Sequence, residues 1–549
     1  MSDTNPDTVF VNTSVITMDA HGSRAEAVAV TDGRISAVGS RDDILATATD
    51  RTEVIDLGGQ VLMPGFVEAH GHVLLMAQLL APPTVDVRPM IIPEWPDVLA
   101  AIQADQQSHP AGTPLVAFGF DPIGHGRPAP DIRELDELFP DNPLILLNFT
   151  AHSANVNTKA FELAGITKET PNPAGGHFGH YDDGELNGEV FEATAMVQLV
   201  VPYLGALKSD VGKMARSQYS AMARAGVTTV GELLTQGNDV QALTMMAAAP
   251  GNPLRIRSYE GTNDSKQTAA SRGNGNDMFR QVGLKLWVDG APWLGNVSLK
   301  QPYLNTQATR NMGLPADHCG SANYSEAQLL DIMRAYVPSG FQMACHVHGD
   351  KGVDTILDVY ETILTENDLL GTDHRWRLEH CGAMTAEQYR RAAELGLTCS
   401  LFIHHLYFWG DVLVDDLFGE ERGAHWMRCR SALDSGMRIS LHNDGYVTPP
   451  DPIGNAWSAV NRISRKSGKV YGPEERITVD EALRAVTIDA AWQLFSDDHV
   501  GSIELGKYAD FVVLDADPYA VDPATLNETV HVVDTYLAGV KTNPNAFAG

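Results

Sequence analysis

Two histidines separated by one residue, His70 and His72, follow an apolar run and offer the first chemistry in the chain. Alternate residues of a strand point to the same side, so we predict that the two imidazoles project together from one strand end. Paired imidazoles suit a divalent transition metal such as zinc. An isolated pair is more often only a polar strand end, so the interpretation depends on further ligands elsewhere.

Ligand-type side chains recur at the ends of later apolar segments that we predict to be strands. They are Lys285, Asp289, His346, His348, His380, His442 and Asp444. Taken alone, a strand-end histidine is usually a hydrogen-bonded core residue. A buried lysine is less usual, because an unpaired ammonium is costly to bury. Their joint occurrence at successive strand ends indicates a metal-dependent hydrolase.

The elements that must position these residues alternate between strand-like and helix-like patterns. Predicted strands are 143–148, 227–230, 283–288, 342–348, 376–380, 398–401 and 438–442, and predicted helices are 325–336, 352–365 and 385–395. This alternation predicts a parallel barrel or a doubly wound sheet. Barrel active sites lie at the carboxyl ends of the strands, which is where the candidate ligands stand.

The two ends of the chain read differently, as short strands separated by turns. Neither end has enough strands to bury a core alone, so we predict one β-sandwich from residues 1–66 plus 495–549. The remaining residues 67–494 form the predicted metal-dependent barrel. Its segment at about 74–225 is too long for two strand–helix units and predicts an inserted subdomain.

Composition excludes several classes of function. The 549 residues carry 39 Lys and Arg against 70 Asp and Glu, a net charge of −31, which disfavours nucleic acid. No run of 18 apolar residues predicts a membrane span, and the polar start predicts no secretory signal. Five cysteines without Cys-x-x-Cys spacing indicate reduced thiols and a cytoplasmic protein. We also expect a homo-oligomer, a dimer.

Several motifs together resemble the amidohydrolase superfamily, in the formamide-deformylase-like branch called amidohydrolase family 3. Residues 64–72 resemble PGF-x-D-x-H-x-H, with Glu68 in place of the usual Asp, and residues 377–380 match R-x-E-H. The stretch 346–350 stands where the family has HAIGD, so His348 is a departure. Asn443 precedes Asp444 where Ser-Asp is usual. Residues 501–510 resemble the family's closing GsIepGKyAD segment.

The resemblance implies a distorted (β/α)8 barrel with one or two divalent metals, usually zinc. It implies that His70 and His72 bind the first metal and that His346 and His380 bind the second. Lys285, carboxylated by carbon dioxide, would bridge the two. Asp444 would contact the first metal and transfer protons as general base and then acid.

An aromatic stretch at 401–411 indicates an apolar substrate pocket. We predict substrate contacts from Trp287, His405 and Trp409. His152 either orients a substrate carbonyl or holds the inserted loop. The function we predict is hydrolysis of a non-peptide C–N bond in a small, largely apolar or aromatic N-substituted amide or formamide. The alternatives are a metal-dependent decarboxylase or deaminase, and a non-catalytic ligand-binding barrel.

Overall fold

A computed structural model describes residues 5–80, 83–151, 153–173, 176–191, 193–207, 210–262, 271–445 and 447–548. The chain divides into two compact units. The first unit comprises residues 1–73, 216–309 and 315–549, and the second comprises residues 74–215 and 310–314.

Parallel strands form the central sheet of the first unit. Within the described residues this sheet has eight strands, named here β1 (Phe66–Gly71), β2 (Val227–Thr235), β3 (Arg255–Gly261), β4 (Phe279–Trp287), β5 (Gln342–Val347), β6 (Arg377–His380), β7 (Thr398–Leu401) and β8 (Ile439–Leu441). Each strand pairs with the next along the chain, and one bridge between Gly71 and Gly445 joins the first edge to the last. The predicted (β/α)8 barrel is confirmed.

Helices follow most barrel strands. Those that follow β2 and the later strands include Asp239–Ala247, Glu326–Tyr336, Asp350–Glu366, Ala386–Glu394, Cys429–Asp434, Pro452–Asn461, Val479–Ala485 and Ile488–Gln493. Ser325 and Thr385 each begin a helix with a capping box, in which the N-cap side chain and a glutamine three residues later satisfy exposed backbone N–H groups. In Asp350–Glu366 the buried residues recur every three or four positions, as a helix packed on a sheet requires.

The barrel interior is polar near the carboxyl ends of the strands. In β4, Leu284 and Leu286 are buried, and Lys285 between them is buried as well. Alternation along the strand therefore places the lysine on the opposite side from the two leucines.

Strands from both chain ends build the composite β-sandwich. One sheet has the strands Arg34–Gly39, Ala27–Thr31, Thr8–Val11 and Glu53–Asp56, and the other has Val540–Lys541, Val532–Leu537, Phe511–Leu514, Val61–Pro64, Ser14–Ile16 and Arg24–Ala25. Phe511–Leu514 pairs antiparallel with Val61–Pro64, so the ends share a sheet. Side chains from both sheets, such as Phe10 and Phe511, form one core. The boundaries 1–66 and 495–549 stay a prediction.

The second unit has its own mixed sheet. Its strands, in sheet order, are His177–His180, Leu186–Phe191, Ser153–Val156, Leu144–Asn148, Leu115–Phe120 and Thr84–Asp86. Its helices include Trp95–Gln107, Ile132–Leu138, Thr158–Ala164 and Ala193–Leu207. The strand predicted at 143–148 lies in this sheet and not in the barrel.

Within the part of the chain that the structure describes, no helix is long and apolar enough to cross a membrane.

Candidate metal centre

The end of β1 brings two imidazoles and a carboxylate together. The ring centroids of His70 and His72 are 5.3 Å apart. Asp444, just beyond β8, places Oδ1 3.3 Å from Nε2 of each histidine. These three residues form a group of potential ligand atoms within 4.8 Å of one another. Two nitrogens and one carboxylate oxygen therefore converge between the first and last strands.

Glu379 sets the orientation of His70. The His70 Nδ1–H donates to Glu379 Oε2 at 2.5 Å, and Arg377 Nε lies 2.7 Å from Glu379 Oε1. With its proton on Nδ1, the imidazole directs the Nε2 lone pair towards the centre. Burial alone would raise the pKa of Glu379. The Arg377 guanidinium and the His70 ring outweigh this effect and hold the pKa well below its usual range.

The site residues predicted from the sequence do not include Glu379, and strand alternation would place it on the face opposite His380. In the structure His380 has φ +71°, so the extended geometry of β6 ends there. Both residues then have contacts in the centre, since the His70 and His380 rings are 4.7 Å apart. The signal in the sequence was a pair of opposite charges, Arg377 and Glu379, two residues apart in a predicted strand.

Lys285 lies fully buried beside His70. Its Nζ is 3.2 Å from His70 Nε2 and 5.4 Å from the centroid of the Trp287 ring. Burial lowers the pKa of Lys285 to about 8. About one tenth of the amine is then neutral at pH 7, and a neutral amine is a nucleophile.

A second group consists of three imidazoles, His346, His348 and His380. One nitrogen from each lies within 4.8 Å of the others. His346 Nε2–H donates to the carbonyl of Gly290 at 3.0 Å, which leaves Nδ1 with a lone pair. Burial holds the pKa of all three histidines well below the ordinary value, so the rings are neutral.

His442 joins the two groups. Its ring stacks on His70 at 4.6 Å, its Nε2 lies 3.2 Å from His380 Nδ1, and its Nδ1 lies 2.8 Å from Ser400 Oγ. The ligand set inferred from the sequence left this residue out. Its position two residues before Asp444 was the signal that could have added it.

Asp444 is held by the residue before it. The backbone N–H of Asn443 donates to Glu68 Oε1 at 2.8 Å, and Asn443 Oδ1 accepts from the backbone of Asp451 and from Asn455. Asp444 itself has φ +50°. Burial alone would raise the pKa of Asp444, but the imidazoles of His70 and His72 have the larger effect and hold this pKa well below its usual range. The carboxyl therefore remains ionised.

Aromatic side chains predicted to contact substrate lie beside the second group. His405 is 5.4 Å from His348 and 5.7 Å from Trp409 by ring centroids, and Trp293 lies 5.1 Å from Trp409. Trp426 Nε1–H donates to His405 Nδ1 at 3.2 Å. His152, the remaining predicted contact, is outside the described residues.

The donor chemistry fits a divalent metal. Imidazole nitrogens and a carboxylate oxygen are ligands that zinc prefers, and each group offers three of them. The hydrogen-bond partners Glu379 and Gly290 O fix the tautomers of His70 and His346, as outer partners of metal-binding histidines commonly do. The residues present therefore suit one or two ions.

Comparisons with known proteins agree with this centre. The model of the amidohydrolase family matches residues 53–542. The chain is 29% identical over 542 residues to N-substituted formamide deformylase from Arthrobacter pascens, covering 97% of this chain and 98% of that protein. It is 27% identical to the putative amidohydrolase YtcJ of Bacillus subtilis, covering 93% and 95%.

Solved structures share the fold. An uncharacterised metal-dependent hydrolase from Pyrococcus horikoshii superposes with a TM-score of 0.71 at 21% identity, covering 94% of this chain and 99% of that one. A second, from Pyrococcus furiosus, gives 0.68 at 22%, with the same coverage. The chain is thus a hydrolase of C–N bonds other than peptide bonds, and, as its motifs predicted, it belongs to the amidohydrolase family.

Proposed function

We propose that this chain is a zinc-dependent hydrolase of a small, largely apolar or aromatic N-substituted amide or formamide. The observation that carries the proposal is the convergence of imidazoles, one carboxylate and one buried lysine at the carboxyl ends of the barrel strands. The similarity to a formamide deformylase over nearly the whole chain supports the substrate class.

The proposed ligands divide between the two groups. His70 and His72 would hold a first ion together with Asp444, and His346 and His380 would hold a second. The neutral Lys285 amine would add to carbon dioxide, forming an N–C bond and releasing one proton, and the carbamate would be an anionic ligand shared by the two ions. Ions bound there supply Lewis acidity, which activates water and polarises a carbonyl group.

Asp444 is the proposed proton carrier. It accepts a proton from the attacking water while the C–O bond forms, and it returns that proton to the nitrogen as the C–N bond breaks. Its Oδ1 lies 3.3 Å from Nε2 of His70 and of His72, which places the carboxylate beside the proposed ligand nitrogens.

The side chains around the second group support a carbonyl substrate with an apolar substituent. An indole N–H only donates, so Trp426 forces His405 Nδ1 to accept and leaves the proton of the neutral ring on Nε2. No described residue hydrogen-bonds this Nε2–H, which is therefore available to the substrate carbonyl oxygen. Trp409 and Trp287 supply apolar surface for the N-substituent, and His152 stays a predicted contact.

A cytoplasmic location is part of the proposal. The five cysteines are all free thiols, four of them buried, as is usual in a reducing compartment. A dimer likewise stays a prediction.

Activity and metal content measured together test the proposal. The zinc-loaded protein is assayed against N-alkyl and N-aryl formamides, amides, lactams and hydantoins, with His70→Ala and His72→Ala as variants. We expect turnover of at least one formamide or amide, and loss of both turnover and zinc in the variants. His531→Ala, which removes an exposed histidine paired with Asp515, is the matched control. Wild-type zinc content and activity in the His70 variant would contradict the site.

A further inference from the structure

His348 is a buried imidazole whose ring hydrogen-bonds to no described residue. Only 3% of the residue is exposed, and its Nδ1 is fully enclosed. Burying a polar ring without a partner costs free energy, and buried side chains in native proteins are nearly always paired. A ligand on one of its nitrogens would account for this burial.

Backbone hydrogen bonds and ring contacts hold His348 in place. Its backbone N–H donates to Asp289 Oδ1 at 2.9 Å, and the next N–H, of Gly349, donates to Oδ2 at 2.8 Å. The ring stacks on His380 at 4.9 Å on one side and against His405 at 5.4 Å. Such support holds an imidazole in one orientation before any ligand arrives.

His442, the other extra histidine, is differently placed. Both of its ring nitrogens have partners, Ser400 Oγ and His380 Nδ1. If His442 Nδ1–H donates to Ser400, its Nε2 accepts from His380 Nδ1–H, and the His380 Nε2 lone pair is left for a ligand. His442 then orients His380, as Glu379 orients His70.

We propose that His346, His348 and His380 form a complete three-imidazole site for the second divalent ion. The second ion binds at this site even when Lys285 is absent. The proposal rests on the proposed function only in taking this region as a metal centre. Three histidines with an open fourth position are a known arrangement for catalytic zinc. The site therefore differs from one that has two histidines and depends on the lysine carbamate.

Metal titration tests the proposal. Chelator-treated protein is titrated with Zn²⁺, and with Co²⁺ to follow its visible absorption, in the wild type and in His348→Asn, His442→Asn, Lys285→Ala and the control His531→Ala. We expect two equivalents in the wild type, in Lys285→Ala and in His442→Asn. In His348→Asn we expect the second equivalent to bind at least about tenfold more weakly. Circular dichroism and the melting temperature of the metal-free proteins report folding, and His348→Gln replaces the asparagine variant if that does not fold.

Two results with the variants would overturn the three-imidazole site. One is a second equivalent that binds His348→Asn with wild-type affinity, and the other is its loss from Lys285→Ala alone. A wild type that binds one equivalent, lost in His70→Ala, leaves the proposed function standing and removes this inference. A wild type that binds none removes both.

Discussion

At the scale of single residues, the centre depends on partners that set tautomers. His70 has a carboxylate on Nδ1, and His346 has a backbone carbonyl on Nε2. Each contact fixes which nitrogen keeps a lone pair. A neutral histidine without such a partner exchanges its proton between two nitrogens, so these contacts prepare the site before any ion binds.

Asp444→Asn is the sharpest change of a single residue. We expect the fold and the His70 and His72 contacts to survive, while kcat falls by roughly 10²-fold or more, because an amide cannot accept and return a proton. Turnover in the zinc-loaded variant, with metal content measured on the same sample, checks this. A variant within about tenfold of the wild type would exclude Asp444 as the proton carrier.

Asp489, away from the centre, predicts a pH dependence of stability. Burial raises its pKa to about 6, although Arg484 and Arg438 near it act in the opposite direction. Since the folded-state pKa exceeds the ordinary value of 3.8, the folded chain binds a proton that the unfolded chain does not. This contribution to stability is present at low pH and is lost as pH rises through about 6.

Asp489→Asn should remove that dependence. When the pH is lowered from 7 to 4.5, we expect the free energy of unfolding of the wild type to rise by about 2 kcal/mol relative to that of the variant. Urea denaturation of both proteins at several pH values measures the difference. A constant difference across this range would show that the carboxyl does not titrate with a raised pKa.

At the scale of elements, one buried ion pair fastens β3 to the C-terminal segment. Arg255 Nε lies 2.6 Å from Asp510 Oδ2 and its second nitrogen lies 3.0 Å from Oδ1, with both side chains almost fully buried. Asp510 also accepts the backbone N–H of Ala538. One carboxylate therefore joins the barrel to two strands of the sandwich.

Asp510→Asn should leave the Arg255 charge buried without a counter-charge. We expect a loss of about 3–5 kcal/mol in the free energy of unfolding. Asp517→Asn removes a more exposed pair with Arg24 and should cost about 0–1 kcal/mol, so it is the matched control. Denaturation curves of the two variants compare them directly. Equal losses would mean that the buried pair contributes no more to the free energy of unfolding than the exposed one.

The same ion pair explains why β3 was missing from the predicted strands. Arg255 and Arg257 are buried in it, so the strand has no continuous apolar run. Their partners, Asp510 and Ser496, lie about 240 or more residues away, and no local pattern shows such pairing. By contrast, β5, β6 and β7 were predicted to within two residues of their observed bounds.

At the scale of the whole molecule, the sequence predicted the barrel and the composite sandwich, which repeat simple patterns of alternation. It did not predict how His348 and His442 add to the centre. Those contacts depend on side-chain directions at strand ends, where residues such as His380 and Asp444 leave extended geometry. Strand alternation fails at such positions, and they are also where the chemistry lies.

The seam between β1 and β8 has a consequence for how the barrel is held closed. One backbone bridge, Gly71 to Gly445, and the hydrogen bond from the Asn443 N–H to Glu68 join these edges, and the His70 ring stacks on His442 across them. Under the proposed ligand set, the first ion holds His70 and His72 of one edge and Asp444 of the other. The ion would then link the two edges. Closure of the barrel and metal binding are therefore thermodynamically coupled, so that each makes the other more favourable.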